Sequence, residues 1–342
     1  MKHSAIPGLL TALLSLSAPA AWAQGPAMYT MSKVVPLGGP DRWDYVVFDP
    51  SSHRVFVAHG DRLSVVDGRN GARLGEVTGI PGGTHGVAIS APTGRGYTDD
   101  GQAGKVVAFD LKTLKLEKAI VGEPDADGMT LDPLTGHVFV VNGDSATVTV
   151  VDPRANAVAA TIKVGGKLEY AAADGAGKLY VNGAGAREIV RIDTRTNQVD
   201  ARWPVPDCDS PHGLAIDPKH RRLFSSCVNG RLMVVDIDHG AVVASLPIGR
   251  GTDAAAYDPV RQRVFSSNGV DGTLTVIQQK DANTYAVAAT VKTAVTGRTI
   301  GIDPASGRIY LVAADADPAS PPGGRAKPLP GTLKLIFLDP AR

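Results

Sequence analysis

The chain has 342 residues, 43% hydrophobic and 20% charged, the make-up of a folded globular protein and not of a disordered one. Its 39 glycines and 24 prolines call for many turns, more than a helical protein of this size uses. The formal charge is +1, and loss of Lys2 with the leader described next leaves 34 basic against 34 acidic residues, a balance that argues against a broad phosphate-binding surface and makes nucleic acid an unlikely partner class.

Residues 1–23 read as a signal peptide. Lys2 and His3 start it, an apolar run through Leu9-Leu10-Thr11-Ala12-Leu13-Leu14 follows, and Ala21-Trp22-Ala23 fits the small-x-small cleavage rule with Gln24 next. The run is too short to span a bilayer, Pro7 and Pro19 bracket it, and no later segment is long and apolar enough. The expected location is the periplasm or the medium, with no transmembrane segment. The only two cysteines, Cys208 and Cys227, read as a disulfide in such a compartment, with a free or metal-binding thiol pair as the alternative.

From there the chain repeats. A short apolar strand ends in an Asp-Pro-like turn, at Asp49-Pro50, Ser90-Ala91-Pro92, Asp132-Pro133, Asp174-Gly175, Asp217-Pro218, Asp258-Pro259 and Asp303-Pro304. The seven turns are 41 to 45 residues apart. A second strand follows, as in Arg54-Val55-Phe56-Val57 or His137-Val138-Phe139-Val140. A third ends in Val66-Asp67, Phe109-Asp110, Val151-Asp152, Ile192-Asp193, Val235-Asp236 and Leu338-Asp339, and a β-branched fourth completes the unit. Four short strands in ~40 residues make one propeller blade, which buries its two faces only against neighbouring blades. The predicted fold is therefore all-β: a single seven-bladed β-propeller over residues 24–342. Its four-stranded blades lie near 40–77, 78–120, 121–162, 163–203, 204–246, 247–290 and 291–342. The last unit has three strands, and Lys33-Val34-Val35-Pro36-Leu37-Gly38 resembles the fourth-strand segment Ala244-Ser245-Leu246-Pro247-Ile248-Gly249. Residues 29–38 are thus expected to complete blade seven.

With its 40-residue period, segments such as Phe139-Val140-Val141-Asn142 and Tyr180-Val181-Asn182, and the Val-Asp strand ends, the chain resembles the YVTN-repeat, YncE-like bacterial β-propellers over residues 29–342. The literal tetrapeptide Tyr-Val-Thr-Asn is absent. The resemblance implies a periplasmic or surface seven-bladed propeller and no settled activity.

In a propeller the first strand of each blade lines the channel, so one fixed offset in every repeat forms a ring around the axis. Five residues before the turns stand Asp44, His85, Asp127, Glu169, His212, Asp253 and Arg298, all ionisable. Two residues further on stand Val46, Val87, Met129, Ala171, Leu214, Ala255 and Ile300, all apolar. Crowded carboxylates raise one another's pKa and need an offset. Asp127, Glu169, His212 and Asp253 on consecutive blades form a candidate site for a divalent metal or a cationic ligand. Arg298 and Asp44 meet where the ring closes and are expected to pair. Trp43, Tyr45 and Tyr170 flank the ring, as ligand-stacking or blade-packing aromatics.

Three readings of the ring stay open: solvated and self-paired, ligand- or metal-binding, or catalytic. The binding reading makes the protein a monomeric module with a small molecule or a protein at its mouth. The catalytic reading draws on similar propellers that cleave or form lactones, and makes the chain a lactonase-like or other metal-assisted hydrolase or lyase. His85 or His212 would then be the base, Glu169 would join the carboxylate cluster and Arg298 would clamp an anion. No phosphate-binding glycine loop, H-E-x-x-H, haem-attachment or G-x-S-x-G motif is present. Residues 314–330 form the one long insertion, on the ring's face, a lid or a loose loop by composition.

Overall fold

A computed structural model describes Met1 and residues 28–321 and 323–341. The signal-peptide reading therefore falls outside the described residues. Seven four-stranded antiparallel sheets follow one another along the chain. Their innermost strands are Val46–Asp49, Val87–Ser90, Ala126–Leu131, Leu168–Ala173, Pro211–Asp217, Thr252–Asp258 and Thr299–Asp303. Each innermost strand packs against those of the blades before and after it, and the strands of blades seven and one meet to close the ring. The fold is a seven-bladed β-propeller. Its described helices are two single 3-10 turns, and none is long and apolar enough to cross a membrane.

The two repeated motifs are turns with a common mechanism. Asp49, Asp132, Asp217, Asp258 and Asp303 each accept the backbone N–H two residues on. Asp67, Asp110, Asp152, Asp193 and Asp236 do the same after the third strand. The carboxylate replaces a missing backbone acceptor, which is why Asp recurs at both places.

The core lies between blades. Seven apolar clusters occupy the seven blade junctions. At the junction of blades seven and one, Val35 and Leu37 join Trp43, Val55 and Val57 to Tyr310, Leu335 and Phe337. Tyr29–Pro36 supplies the outer strand of blade seven, paired from Tyr29↔Pro340 to Pro36↔Lys334. Arg308 reinforces this seam, its Nη1 donating to the carbonyl of Gly68 at 2.7 Å.

Candidate functional site

Asp127, Glu169, His212 and Asp253 are the second residues of their innermost strands, and Asp44, His85 and Arg298 stand one or two residues ahead of theirs. A backbone device not anticipated from the sequence sets their aim. In blades three to six the register shifts between Ala126 and Met129, Leu168 and Ala171, Pro211 and Leu214, and Thr252 and Ala255. At each shift two residues, the ring residue and its successor, oppose one residue of the second strand. In blade one, Asp44 N–H and Tyr45 C=O both bond Ala58, placing two residues against one again. A bulge of this kind bends a strand end and redirects its side chains.

The successor position shapes the channel. It is Gly86, Gly128, Gly213, Ala254 and Thr299 in five blades and tyrosine in blades one and four. At Gly213 a Cβ would fall 2.3 Å from Ala255 N, so the innermost strands of blades five and six approach closely only without a side chain there. At Gly128 a Cβ would fall 2.7 Å from the Tyr170 ring, which uses that space to reach the axis. Tyr170 meets Tyr45 from the far side of the ring with centroids 4.7 Å apart. Beneath the pair the channel is lined by Val47, Thr130, Ala172, Ile216 and Ile302. The expected change from ionisable to apolar along each strand is present, with a tyrosine floor between the two levels.

The ring residues meet in unequal ways. His212 Nε2 lies 3.8 Å from Glu169 and 3.9 Å from Asp253. Its Nδ1 donates to the carbonyl of Ser210 at 2.8 Å, which leaves Nε2 facing the carboxylates. Lys167 Nζ is 3.8 Å from Glu169. No hydrogen bond or ion pair among the described residues reaches the Asp127 carboxylate, which stands under the charge of Asp44, Glu169, Asp99 and Asp253. Asp127, Glu169, His212 and Asp253 do lie on one arc. Yet no three His, Cys, Asp or Glu side chains among the described residues converge as metal ligands would.

The expected Asp44–Arg298 pair does not form. Arg298 lies over the Trp43 ring, 5.1 Å from its centroid, with Nη2 donating to the Trp43 carbonyl at 2.9 Å. That pose turns its Nε toward blade six, 2.5 Å from Asp253 Oδ2 but without hydrogen-bond alignment. Trp43 is buried beneath the guanidinium.

Burial pushes the Asp44 carboxyl up to about 7, against the opposing charge of Arg298. Burial first, and then the neighbouring carboxylates, hold Asp127 well above the usual carboxylate range. Glu169 is raised by burial, with His212 and Lys167 opposing. The Tyr45 hydroxyl is raised well above its ordinary value, first by burial and then by Asp127, Asp44, Asp253 and Glu169. The carboxylates therefore crowd around this tyrosine.

Residues outside the ring offset complete the site. Buried Asp99, on the second strand of blade two, accepts from His85 Nδ1 at 2.6 Å and from the His85 and Gly86 backbone N–H groups. Burial alone would lower the His85 pKa, but the bond to Asp99 and its charge outweigh that and raise it. Arg42 Nη2 stands 2.7 Å from His85 Nε2. A guanidinium only donates, so this contact selects the imidazole with its proton on Nδ1. Asp99 was legible in principle: the same row reads Val141, Asn182, Ser226 and Ser267 in blades three to six, and an acid stands out there. Arg42 and Arg325 carry no repeat signal.

Cys208 and Cys227 form a disulfide, with Cα atoms 5.1 Å apart. It ties the segment entering the first strand of blade five to the end of its second, beside the Pro211↔Cys227 pair and one residue from His212. The insertion is folded back on itself through the Ala316↔Pro328 bridge. Asp41 accepts the Gly331 N–H at 2.7 Å, and Arg325 reaches Asp253 Oδ1 at 3.2 Å.

No family model matches the chain. YncE of Salmonella typhi is 25% identical over 190 residues, 54% of this chain and 52% of the relative. YncE of Escherichia coli O157:H7 is 22% identical over 205 residues, 55% of this chain and 58% of the relative. The match thus spans little more than half the length of these curated relatives. The chain is thus similar to YncE proteins over about half its length, and its own fold is a seven-bladed β-propeller. Among solved structures, Kuenenia stuttgartiensis hydrazine synthase superposes with a TM-score of 0.67 at 14% identity, over 86% of this chain and 95% of that one. U3-55K superposes with a TM-score of 0.74 at 11% identity, over 90% and 98%. Identity this low shows the shared propeller fold alone.

Proposed function

We propose that this YncE-like propeller is a periplasmic or secreted binding module whose ring mouth takes the cationic nitrogen of a small molecule or of a protein segment. The observation that carries the reading is Asp127, an unpaired carboxylate facing Asp44, Glu169 and Asp253 above a tyrosine floor. A bound ammonium offsets that crowding by charge and by contact with the tyrosine faces. The disulfide fits an oxidising compartment. A divalent ion is the alternative occupant of the same carboxylates, favoured by His212 standing between Glu169 and Asp253. The catalytic alternative rests on the Asp99–His85 pair, which orients an imidazole as a general base requires.

Calorimetric titration of the mature protein with butylammonium, Ca2+ and Zn2+ tests the reading. Butylammonium is expected to bind, and Asp127→Asn to weaken it about tenfold or more, the worth of one charged partner. A stoichiometric metal lost in Asp127→Asn would assign the site to the ion instead. Lactone hydrolysis abolished by His85→Ala would replace binding with catalysis.

A further inference from the structure

A cavity of about 180 Å³ opens between the seam of blades seven and one and the insertion. Three guanidiniums line it: Arg42 ahead of blade one, Arg298 of the ring and Arg325 of the insertion. The indole N–H of Trp43, a lining residue, is buried with no hydrogen-bond acceptor among the described residues, and Arg298 Nε faces Asp253 Oδ2 at 2.5 Å without hydrogen-bond alignment. Native proteins leave few such donors, and each calls for an explanation. Asp253 faces both Arg298 and Arg325, and both oxygens of Asp41 take the Gly331 N–H. Three guanidiniums thus stand against two carboxylates, Asp41 and Asp253. Much of its wall is apolar, from the Trp43 ring to Ala326 and Pro328. Its volume equals that of about six waters, room for a small acid and not for a nucleotide.

We propose that this cavity binds a small monocarboxylate, its oxygens on the guanidiniums of Arg298 and Arg325 and its apolar body against Trp43 and Pro328. A planar carboxylate matches the fork of a guanidinium and is satisfied by paired N–H donors. The insertion supplies Arg325, so this segment of blade seven is part of the site and more than a connection. The site adjoins the cation reading of the ring through Asp253, which faces both Arg298 and Arg325, and the two are separated by their probes.

Titration of the mature protein with isobutyrate, followed by Trp43 emission and by calorimetry, tests it, with inorganic phosphate as the competing anion. Isobutyrate is expected to bind with a Kd of about 1 mM or tighter. Arg325→Ala, at an exposed side chain, is expected to weaken it about tenfold with an unchanged melting temperature. Arg298→Lys keeps the charge but loses the fork, and is expected to weaken it similarly. Equal affinity in both variants, or no isobutyrate binding, overturns the proposal. Phosphate binding more tightly than isobutyrate overturns the carboxylate assignment. Isobutyrate binding without butylammonium binding, or the reverse, tells the failure of one reading from the failure of the other.

Discussion

On one side of the mouth, around the seam of blades seven and one, Arg298, Arg42 and Arg325 crowd Asp253 and His85. On the other, at blades three to five, Asp127, Glu169 and His212 have Lys167 as their nearby cation, at 3.8 Å from Glu169. Both sides use the same strand offset, so the repeat alone does not decide local charge. The arginines Arg42 and Arg325 come from a linker and an insertion, the parts of the chain that do not repeat. Each side also has its own fastener. The basic side lies at the seam held by Tyr29–Pro36, and the acidic side includes blade five, pinned by Cys208–Cys227.

Removing the seam strand should break this arrangement most severely. Deletion of residues 29–38 withdraws Tyr29, Val35 and Leu37 from the core, at roughly 1.5–3 kcal/mol each, and bares the edge of the 334–340 strand. That sum approaches the whole stability of a typical domain, so loss of cooperative thermal unfolding is expected. An unchanged melting temperature would show that the ring closes without the strand.

Cutting the other fastener should cost less and act on the other side. The disulfide closes a loop with a sequence separation of 19, for which chain entropy gives about 3 kcal/mol. Denaturant unfolding of the Cys208→Ala, Cys227→Ala double variant should show a loss of that order. Butylammonium binding should weaken with it if the bridge positions His212, and stay unchanged if the bridge serves stability alone.

The smallest effect sits at the boundary between the two sides. Burial raises the Asp44 carboxyl from 3.8 to about 7, so the native state holds this proton more tightly than the unfolded chain does. Stability then falls as pH rises through that window, and the cost is fully present above about 7. Asp67 and Asp193, held at about 2 by Arg69 and Lys178, titrate below the window. The melting temperature should therefore rise on acidification from about pH 8 to about pH 5. Asp127, Glu169, Asp99 and His85 are raised too and add to the slope in the same direction, so Asp44→Asn should reduce it in part, and an equally steep slope in the variant would assign it to those groups.

The fold was legible because it is written seven times. Each Asp-Pro and Val-Asp pair is a local turn, formed by one carboxylate and one nearby N–H, and local chemistry survives in sequence. The ring offset and the apolar offset below it were legible for the same reason, and the two cysteines fell close enough along one hairpin to be paired. Tertiary structure alone decided the partners. Arg298 faces Asp253 and not Asp44 because Trp43 offers its ring as a platform. Tyr170 reaches Tyr45 across the ring because Gly128 leaves room beside the Tyr170 ring. Arg325 reaches the mouth through an insertion with no counterpart in other blades. These contacts join residues remote in sequence, and their geometry depends on how closely seven separate sheets pack around one axis.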